Sequence, residues 1–351
     1  MALDAPLAAR AGDLRAQTGS GPEPLHSSKL NHACECSTSK QDHPPVFYAS
    51  QTWVIDMNIA HNKIAVIGVG MMGHGIALNI LKAGWPLRFY EHPGNQPVDD
   101  LLALGAQGHT SLAELGQWAD YLILCVTGTP EVQAVLYQDG LLASLGPGKV
   151  LIDCSTAIPS VTREIAKDVQ ARGAAFLDAP MTRTPKEAHE GRLNLIVGAS
   201  APLFEQVRPL LETFSENITH AGELSAGHQM KLIHNFVSLG FAAVLSEAAA
   251  CAKLAEIKPE VLLEILGKGG GDGVVFNRLK PYIERADCSG FMFSLSNCAK
   301  DLNYYDTMAL QLGASHELAS SIAGVFTQTA KDHPNTPMPE LIDLLAQRGQ
   351  A

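Results

Sequence analysis

Lys63-Ile64-Ala65-Val66-Ile67-Gly68-Val69-Gly70-Met71-Met72-Gly73 is an apolar run of strand length that breaks into glycines spaced Gly-x-Gly-x-x-Gly. Residues 63–68 read as a short buried strand, Met71 to Ala83 as a helix closed by Gly84, and Pro86 to Glu91 as a second strand. A glycine triplet alone is a weak signal. The strand before it, the helix after it and an acid at the right distance point to a turn that cradles a dinucleotide. Gly68 permits the tight turn, Gly70 lets the backbone approach a pyrophosphate, and Gly73 allows the helix to pack closely on the strand. Met71 and Met72 open a helix whose N–H groups and partial positive charge face the phosphates. The plainer reading is a tight turn with chance glycines. Glu91, 23 residues after Gly68, stands where a carboxylate accepts hydrogen bonds from ribose hydroxyls and repels a 2'-phosphate. NAD is favoured over NADP, with Arg88 and His92 beside it as features that suit the phosphorylated form, and a solvated strand-end acid as the plainer alternative.

Further strands are expected at Tyr121 to Val126, Val150 to Asp153, Ala175 to Asp178 and Leu193 to Val197, with helical segments between several of them, which predicts a mostly parallel sheet. After Gly222 strand signals stop. Helices are expected around Lys231 (Glu223 to Glu256) and at Pro259 to Leu266, Asn277 to Glu284, Ser294 to Leu312, His316 to Lys331 and Pro339 to Gln347. The chain thus divides into an α/β domain over 61–221 and an all-helical domain over 222–348, with no internal repeat. Residues 1–60 are rich in Pro, Ser, Gly and His and hold no period, so they read as a disordered extension. His32, Cys34, Cys36 and His43 match no standard zinc spacing, and no metal site is expected. Arg10 and Arg15 suit a mitochondrial presequence, but Asp4, Asp13 and Glu23 spoil its composition; Met57 offers an alternative start.

At 351 residues the chain has room for two cores. Its formal charge of -11, without any Lys/Arg run, argues against nucleic acid and anionic membranes as partners. No apolar run is read as approaching the roughly 20 residues that span a bilayer. Seven scattered cysteines without a Cys-x-x-Cys pair make a disulfide framework unexpected and fit a reducing cytoplasm.

The Lys231 helix carries the chemistry. Wound at roughly 100° per residue, it gathers Gly227, Lys231, His234, Asn235 and Ser238 within an arc of about 100°, while Met230, Leu232, Ile233, Phe236 and Val237 fall outside. Apolar residues on the other sides imply burial on several faces, where a lysine is costly unless it lines a ligand-filled cleft. A solvated face is the plainer reading, but such faces usually carry charges of both signs, and this stripe has one lysine among neutral groups and a glycine. Lys231 is therefore a candidate acid or base.

Four blocks together resemble the 3-hydroxyacid dehydrogenase family, which includes 3-hydroxyisobutyrate dehydrogenases and tartronate semialdehyde reductases. They are Gly68 to Asn79, Asp153-Cys154-Ser155-Thr156, Asp178-Ala179-Pro180-Met181-Thr182-Arg183-Thr184, and Gly227-x-x-x-Lys231-x-x-x-Asn235 with Lys300-Asp301-Leu302. The resemblance spans about Asn62 to Met338. It implies an N-terminal Rossmann-type doubly wound parallel sheet, a long interdomain helix, an all-helical C-terminal domain and a site in the cleft. It further implies that Lys231 is the catalytic acid/base, that Asn235 helps hold it and the substrate, and that Lys300 reaches the cofactor. Thr127, after the strand Tyr121 to Val126, and Ser155 and Thr156, at a strand's C-terminal end where α/β sheets bind ligands, join the cofactor set. Helix capping before Pro159 is an equal reading of Ser155 and Thr156. Chemistry agrees with the resemblance: hydride transfer to an aldehyde leaves an alkoxide, which a lysine of lowered pKa can protonate.

Two positions depart from the family pattern. Where it has Ser-Gly-Gly, this chain has Thr182-Arg183-Thr184, whose arginine offers a planar fork to an anionic head group. In this loop and in Ser238 the chain is similar to the sulfolactaldehyde reductase branch; an ion pair of Arg183 with Glu187 or Glu190 is the plainer reading. His234 stands where asparagine is usual, as a second donor to the anion or a change of pocket shape. The expectation is an NAD-dependent enzyme interconverting a small 3-hydroxy acid and its semialdehyde, with Thr182, Arg183, Thr184, His234 and Ser238 around the substrate. A sulfonate substrate bound by Arg183 is the alternative within the family. An imine reductase is disfavoured by Lys231, and a non-catalytic binding module by the intact Lys231/Asn235 pair. Family analogy implies a homodimer or homotetramer.

Overall fold

Ile64, Ala65, Val66 and Ile67 are all buried, and this is why β1 (Ile64–Ile67) lies inside a sheet covered on both faces. Ile64 and Val66 point into one apolar core, Ala65 and Ile67 into the other. The structure, a computed structural model, describes residues 62–348, which fall within one compact unit; the readings made for residues 1–61 lie outside the described residues. The other strands are β2 (Leu87–Tyr90), β3 (Gln107–His109), β4 (Tyr121–Leu124), β5 (Val150–Asp153), β6 (Ala175–Asp178), β7 (Met181–Thr182), β8 (Leu193–Gly198) and β9 (Ser215–Gly222). The sheet order is β3-β2-β1-β4-β5-β6-β8-β7, with β9 paired to β8. From β3 to β6 every pairing is parallel; β8 runs antiparallel to β6 and β7, and β9 runs parallel to β8.

The chain builds outward from β1 through β2 to β3 and then returns to place β4 on the other side of β1. That reversal opens a crevice at the carboxyl ends of β1 and β4, the place where doubly wound sheets bind ligands. Three strands escaped the sequence reading. β3 and β7 are two or three residues long, and β9 is an edge strand with mostly exposed residues, so none shows the apolar alternation that marks a half-buried strand.

The long helix spans Ala226–Leu254 and packs on the helices Leu295–Gln311 and Leu341–Arg348, around a third core that includes Leu239, Ala242, Leu302, Phe326 and Leu341. Two expectations about it need correction. Its alanines and leucines outweigh Lys231 and Glu247, so it is long and apolar enough to cross a membrane, with a mean hydropathy of 1.5 and half of that window buried in the fold. Its apolar flank is also not wholly covered: Leu232 is buried, but Met230, Ile233, Val237 and Val244 are exposed.

The helix starts at Ser225, which has a left-handed backbone (φ 75°) and supplies no side-chain cap. The cap comes from the end of β6 instead. Asp178 accepts hydrogen bonds from the Ser225 N–H (2.7 Å) and the His228 N–H (2.7 Å), satisfying first-turn donors that the helix cannot pair internally.

Candidate active site

Gly68 has φ +96°, and a Cβ there would lie 2.3 Å from the Cys125 carbonyl oxygen; on Gly73 it would lie 1.9 Å from the carbonyl oxygen of Gly68. Both positions exclude any side chain. A Cβ on Gly70 would meet nothing within 4 Å, which leaves the turn open on the side a pyrophosphate would approach. The N–H groups of Met71 and Met72 have no hydrogen-bond partner among the described residues, and Met72 caps the Gly73–Lys82 helix without a side-chain bond. Open space and unclaimed donors fit a dinucleotide phosphate.

Glu91 follows β2 directly; it is exposed, and its carboxylate lies over Gly108. Arg88 is occupied elsewhere, stacked 4.3 Å from the Trp118 ring centroid and donating to Gln107 Oε1. The His92 Nδ1 accepts from the Gly94 N–H. Thr127 is exposed just past β4, and its carbonyl accepts a 2.7 Å bond from Lys300 Nζ. Lys300 thereby closes the helical region onto the crevice of the sheet.

Lys231 is partly buried, and desolvation pulls its ammonium down to about 8; the Asp301 carboxylate opposes this, while the charges of Lys300 and Arg278 add to it. Asn235, one turn on and buried, donates from Nδ2 to Asp301 Oδ2 at 2.6 Å and accepts at Oδ1 from His234 Nδ1 at 3.0 Å. Lys300 Nζ stands 2.7 Å from Asp301 Oδ1, off the direction of a hydrogen bond. Burial is also the main cause of a lowered His234 pKa, reinforced by Lys231 and Arg278, although part of this side chain remains open to solvent. Ser238 is half-buried, with no side-chain bond among the described residues. The helix stripe thus meets Lys300 and Asp301 from the Leu295–Gln311 helix beside the cofactor crevice, an arrangement able to deliver one proton to a bound oxygen.

The loop after β6 does not join that cluster. Arg183 has a left-handed backbone (φ 86°), and its guanidinium pairs with Glu216 and the Arg192 carbonyl. That ion pair is made with Glu216 on β9 rather than with Glu187 or Glu190. Strand β9, absent from the sequence reading, supplies that partner. Thr182 accepts from Asn194 Nδ2, and Thr184 donates its N–H and hydroxyl to Glu187, whose carboxyl is held below its usual range by that contact. Ser155 is buried, its hydroxyl accepts from the Val126 N–H, and its N–H donates to Asp153. Helix capping is no better as an account of it, because the Pro159–Ala171 helix is capped at Ile158. Thr156 remains partly exposed.

Sequence comparison adds an independent finding. Residues 63–222 match the family profile described as the NAD binding domain of 6-phosphogluconate dehydrogenase, and residues 225–342 that described as NAD-binding of NADP-dependent 3-hydroxyisobutyrate dehydrogenase. An NAD-dependent L-serine dehydrogenase of Pseudomonas aeruginosa is 35% identical over 74% of this chain and 89% of its own. The chain belongs to the 3-hydroxyacid dehydrogenase family. A 3-hydroxyisobutyrate dehydrogenase of the same organism is 33% identical over 76% of this chain and 92% of its own. A Mycobacterium tuberculosis 3-hydroxyisobutyrate dehydrogenase, solved with L-serine, superposes with a TM-score of 0.72 at 26% identity, covering 81% of this chain and 99% of that one. As a member of this family, the chain is an NAD(P)-binding oxidoreductase acting on hydroxyl groups.

For a 3-hydroxyacid dehydrogenase, two residues matter here that the sequence reading passed over. Asp301 lies inside the Lys-Asp-Leu block quoted for its lysine, so a signal was present, but only folding shows that it holds Asn235. Arg278, on the Val274–Arg285 helix, is close enough for its charge to push both Lys231 and His234 downward. Nothing in its neighbourhood of sequence marks it.

Proposed function

We propose that this enzyme interconverts a small 3-hydroxy carboxylic acid and its semialdehyde using NAD, with Lys231 as the general acid/base. The observation that carries the reading is a partly buried ammonium, lowered to about 8 by desolvation and by the charges of Lys300 and Arg278 against that of Asp301, on the helix whose Asn235 is bonded to Asp301. When bound, the reduced nicotinamide supplies the hydride. As the carbonyl carbon accepts it, the electron pair of the broken π bond goes to oxygen, and Lys231 Nζ gives that oxygen its proton. In the opposite direction the neutral amine takes the hydroxyl proton. Asn235 holds the amine and the reacting oxygen in register, anchored by Asp301.

Arg278 and Lys300 are the cations beside Lys231, and we assign them the substrate carboxylate. The names of the relatives support hydroxy acids of the L-serine and 3-hydroxyisobutyrate type. A sulfonate substrate would need Arg183 to leave Glu216, and the described ion pair speaks against it. Glu91 beyond β2, with Arg88 committed to Trp118 and Gln107, favours NAD over NADP. The exposed apolar residues of the long helix support a homodimer or homotetramer, and free thiols such as Cys125, Cys154 and Cys251 support a reducing compartment such as the cytoplasm. The deciding experiment is a panel of 3-hydroxy acids and semialdehydes, including L-serine and 3-hydroxyisobutyrate, assayed with NAD(H) and NADP(H). Carboxylate turnover that falls on the order of tenfold or more in kcat/KM in Arg278→Gln, and stays in Arg183→Gly, is expected. Loss confined to Arg183→Gly with a sulfonated aldehyde would establish the other substrate class. No turnover of any hydroxy acid would leave a binding module.

A further inference from the structure

His228 lies one turn before Lys231 on the long helix, fully buried, between two buried carboxylates: Nε2 is 3.9 Å from Asp153 Oδ2 and Nδ1 is 3.9 Å from Asp178 Oδ2. The sequence reading gave it no role. Its ring bonds narrow where its hydrogens are. Nε2 faces the Ser155 carbonyl at 3.2 Å, and a carbonyl oxygen only accepts, so Nε2 carries a hydrogen. Nδ1 faces the Thr162 hydroxyl at 2.8 Å. The Thr162 hydroxyl also reaches the Ile158 carbonyl at 3.2 Å, so it can give its one hydrogen to that carbonyl and accept from Nδ1, or give it to Nδ1.

Charge balance chooses between the two arrangements. The two oxygens of Asp178 each accept a 2.7 Å backbone bond, and Asp153 Oδ1 accepts one of 2.9 Å, as carboxylates do. Burial pushes the Asp178 carboxyl upward, opposed by the charge of His228 and the two N–H bonds. Among the described residues, His228 is the only group able to carry positive charge within 4 Å of either carboxylate. Arg163, the residue after Thr162 on the same helix, is spent on Ser225 Oγ. A neutral imidazole would leave two buried negative charges without a counterion.

We infer that His228 is a buried imidazolium that ties the Lys231 helix to the ends of β5 and β6, and that it is a positioning residue for the Lys231 amine. The first part depends only on the fold; the second rests on the function proposed above. Three separate segments converge on this ring: Asp153 and Ser155 beyond β5, Asp178 at the end of β6, and Thr162 on the Pro159–Ala171 helix. A helix fixed there at its first turn presents Lys231 at one height over the crevice. Released, it could rotate or slide while its C-terminal half stayed packed on Leu302 and Leu341.

The test is nitrogen NMR of the full chain with labelled histidine at pH 7.5. One slowly exchanging ring with hydrogens on both nitrogens is expected, assigned by its loss in His228→Gln or its shift in Thr162→Val. A ring with one bare nitrogen overturns the assignment, whatever the substrate proves to be. In parallel, both variants are assayed with the hydroxy acid that the wild type turns over. His228→Gln is expected to lower kcat on the order of tenfold, Thr162→Val by a smaller factor, with NADH affinity within about twofold of wild type. Unchanged kcat in both variants, or a loss shared equally by NADH binding, overturns the positioning role. If His228→Gln does not fold, Thr162→Val and the wild-type spectrum decide.

Discussion

In the acid/base role proposed for Lys231, a pKa near 8 keeps the amine mostly protonated at neutral pH, with the proton for reduction in place before an aldehyde arrives. The sign of the pH dependence follows. Reduction needs the ammonium, so its kcat/KM is expected to be level below pH 8 and to fall as pH rises through that value. Oxidation needs the neutral amine and is expected to gain with pH across the same interval; parallel pH profiles for the two directions would contradict the assignment. Lys231→Ala should cut turnover on the order of a hundredfold or more, with cofactor affinity nearly unchanged in a fluorescence titration. Asn235→Ala removes the donor from buried Asp301 Oδ2, and a kcat loss on the order of tenfold is expected alongside a lower Tm. At this scale the sequence exposed what a single helix can show: Lys231 and Asn235 share a face at i and i+4. Asp301 and Arg278 were not legible in their roles, because they reach Lys231 from other helices, 66 residues separating Asn235 from Asp301. The Glu216 partner of Arg183 was not legible either, since it belongs to a strand without an apolar signal.

The glycine turn makes two opposite predictions within four residues. Gly73→Ala would drive a Cβ into the Gly68 carbonyl, so the helix must shift; a lower Tm and weaker NADH binding are both expected. Gly70→Ala adds a methyl group to open space at an ordinary φ, so Tm should stay within about a degree or two while NADH affinity drops on the order of tenfold, by calorimetry. If the two variants behaved alike, the turn would not be the phosphate cradle. The turn was readable from sequence because it is local, glycines between a strand and a helix. So were β1, β4, β5 and β6, whose apolar runs are buried on both faces or nearly so. The three missed strands owe their pairing to the strand beside them rather than to their own composition.

Across the molecule, Met230, Ile233, Val237 and Val244 line the exposed side of the long helix at helical spacing, with relative exposures of 41% to 64%. A stripe of this kind suits the self-association surface of the oligomer proposed above. Light scattering should give two or four copies, and Ile233→Glu with Val237→Glu should lower that number; a wild-type monomer at micromolar concentration would reject the idea. Sequence alone located these residues on an apolar flank but placed them inside the fold, because periodicity cannot tell an intramolecular neighbour from a second subunit.

Gly75 and Asn79 join the first helix to the Pro185–His189 helix by backbone contact: a Cβ on Gly75 would lie 2.4 Å from Ala188 C, and the Asn79 amide reaches the Ala188 and His189 carbonyls. The helix that opens after the glycine turn and the segment that follows Thr182 to Thr184 are therefore held by one seam. An engineer grafting a different loop at 182–184 would need to preserve that seam, or lose the buttress that the first helix gives the graft.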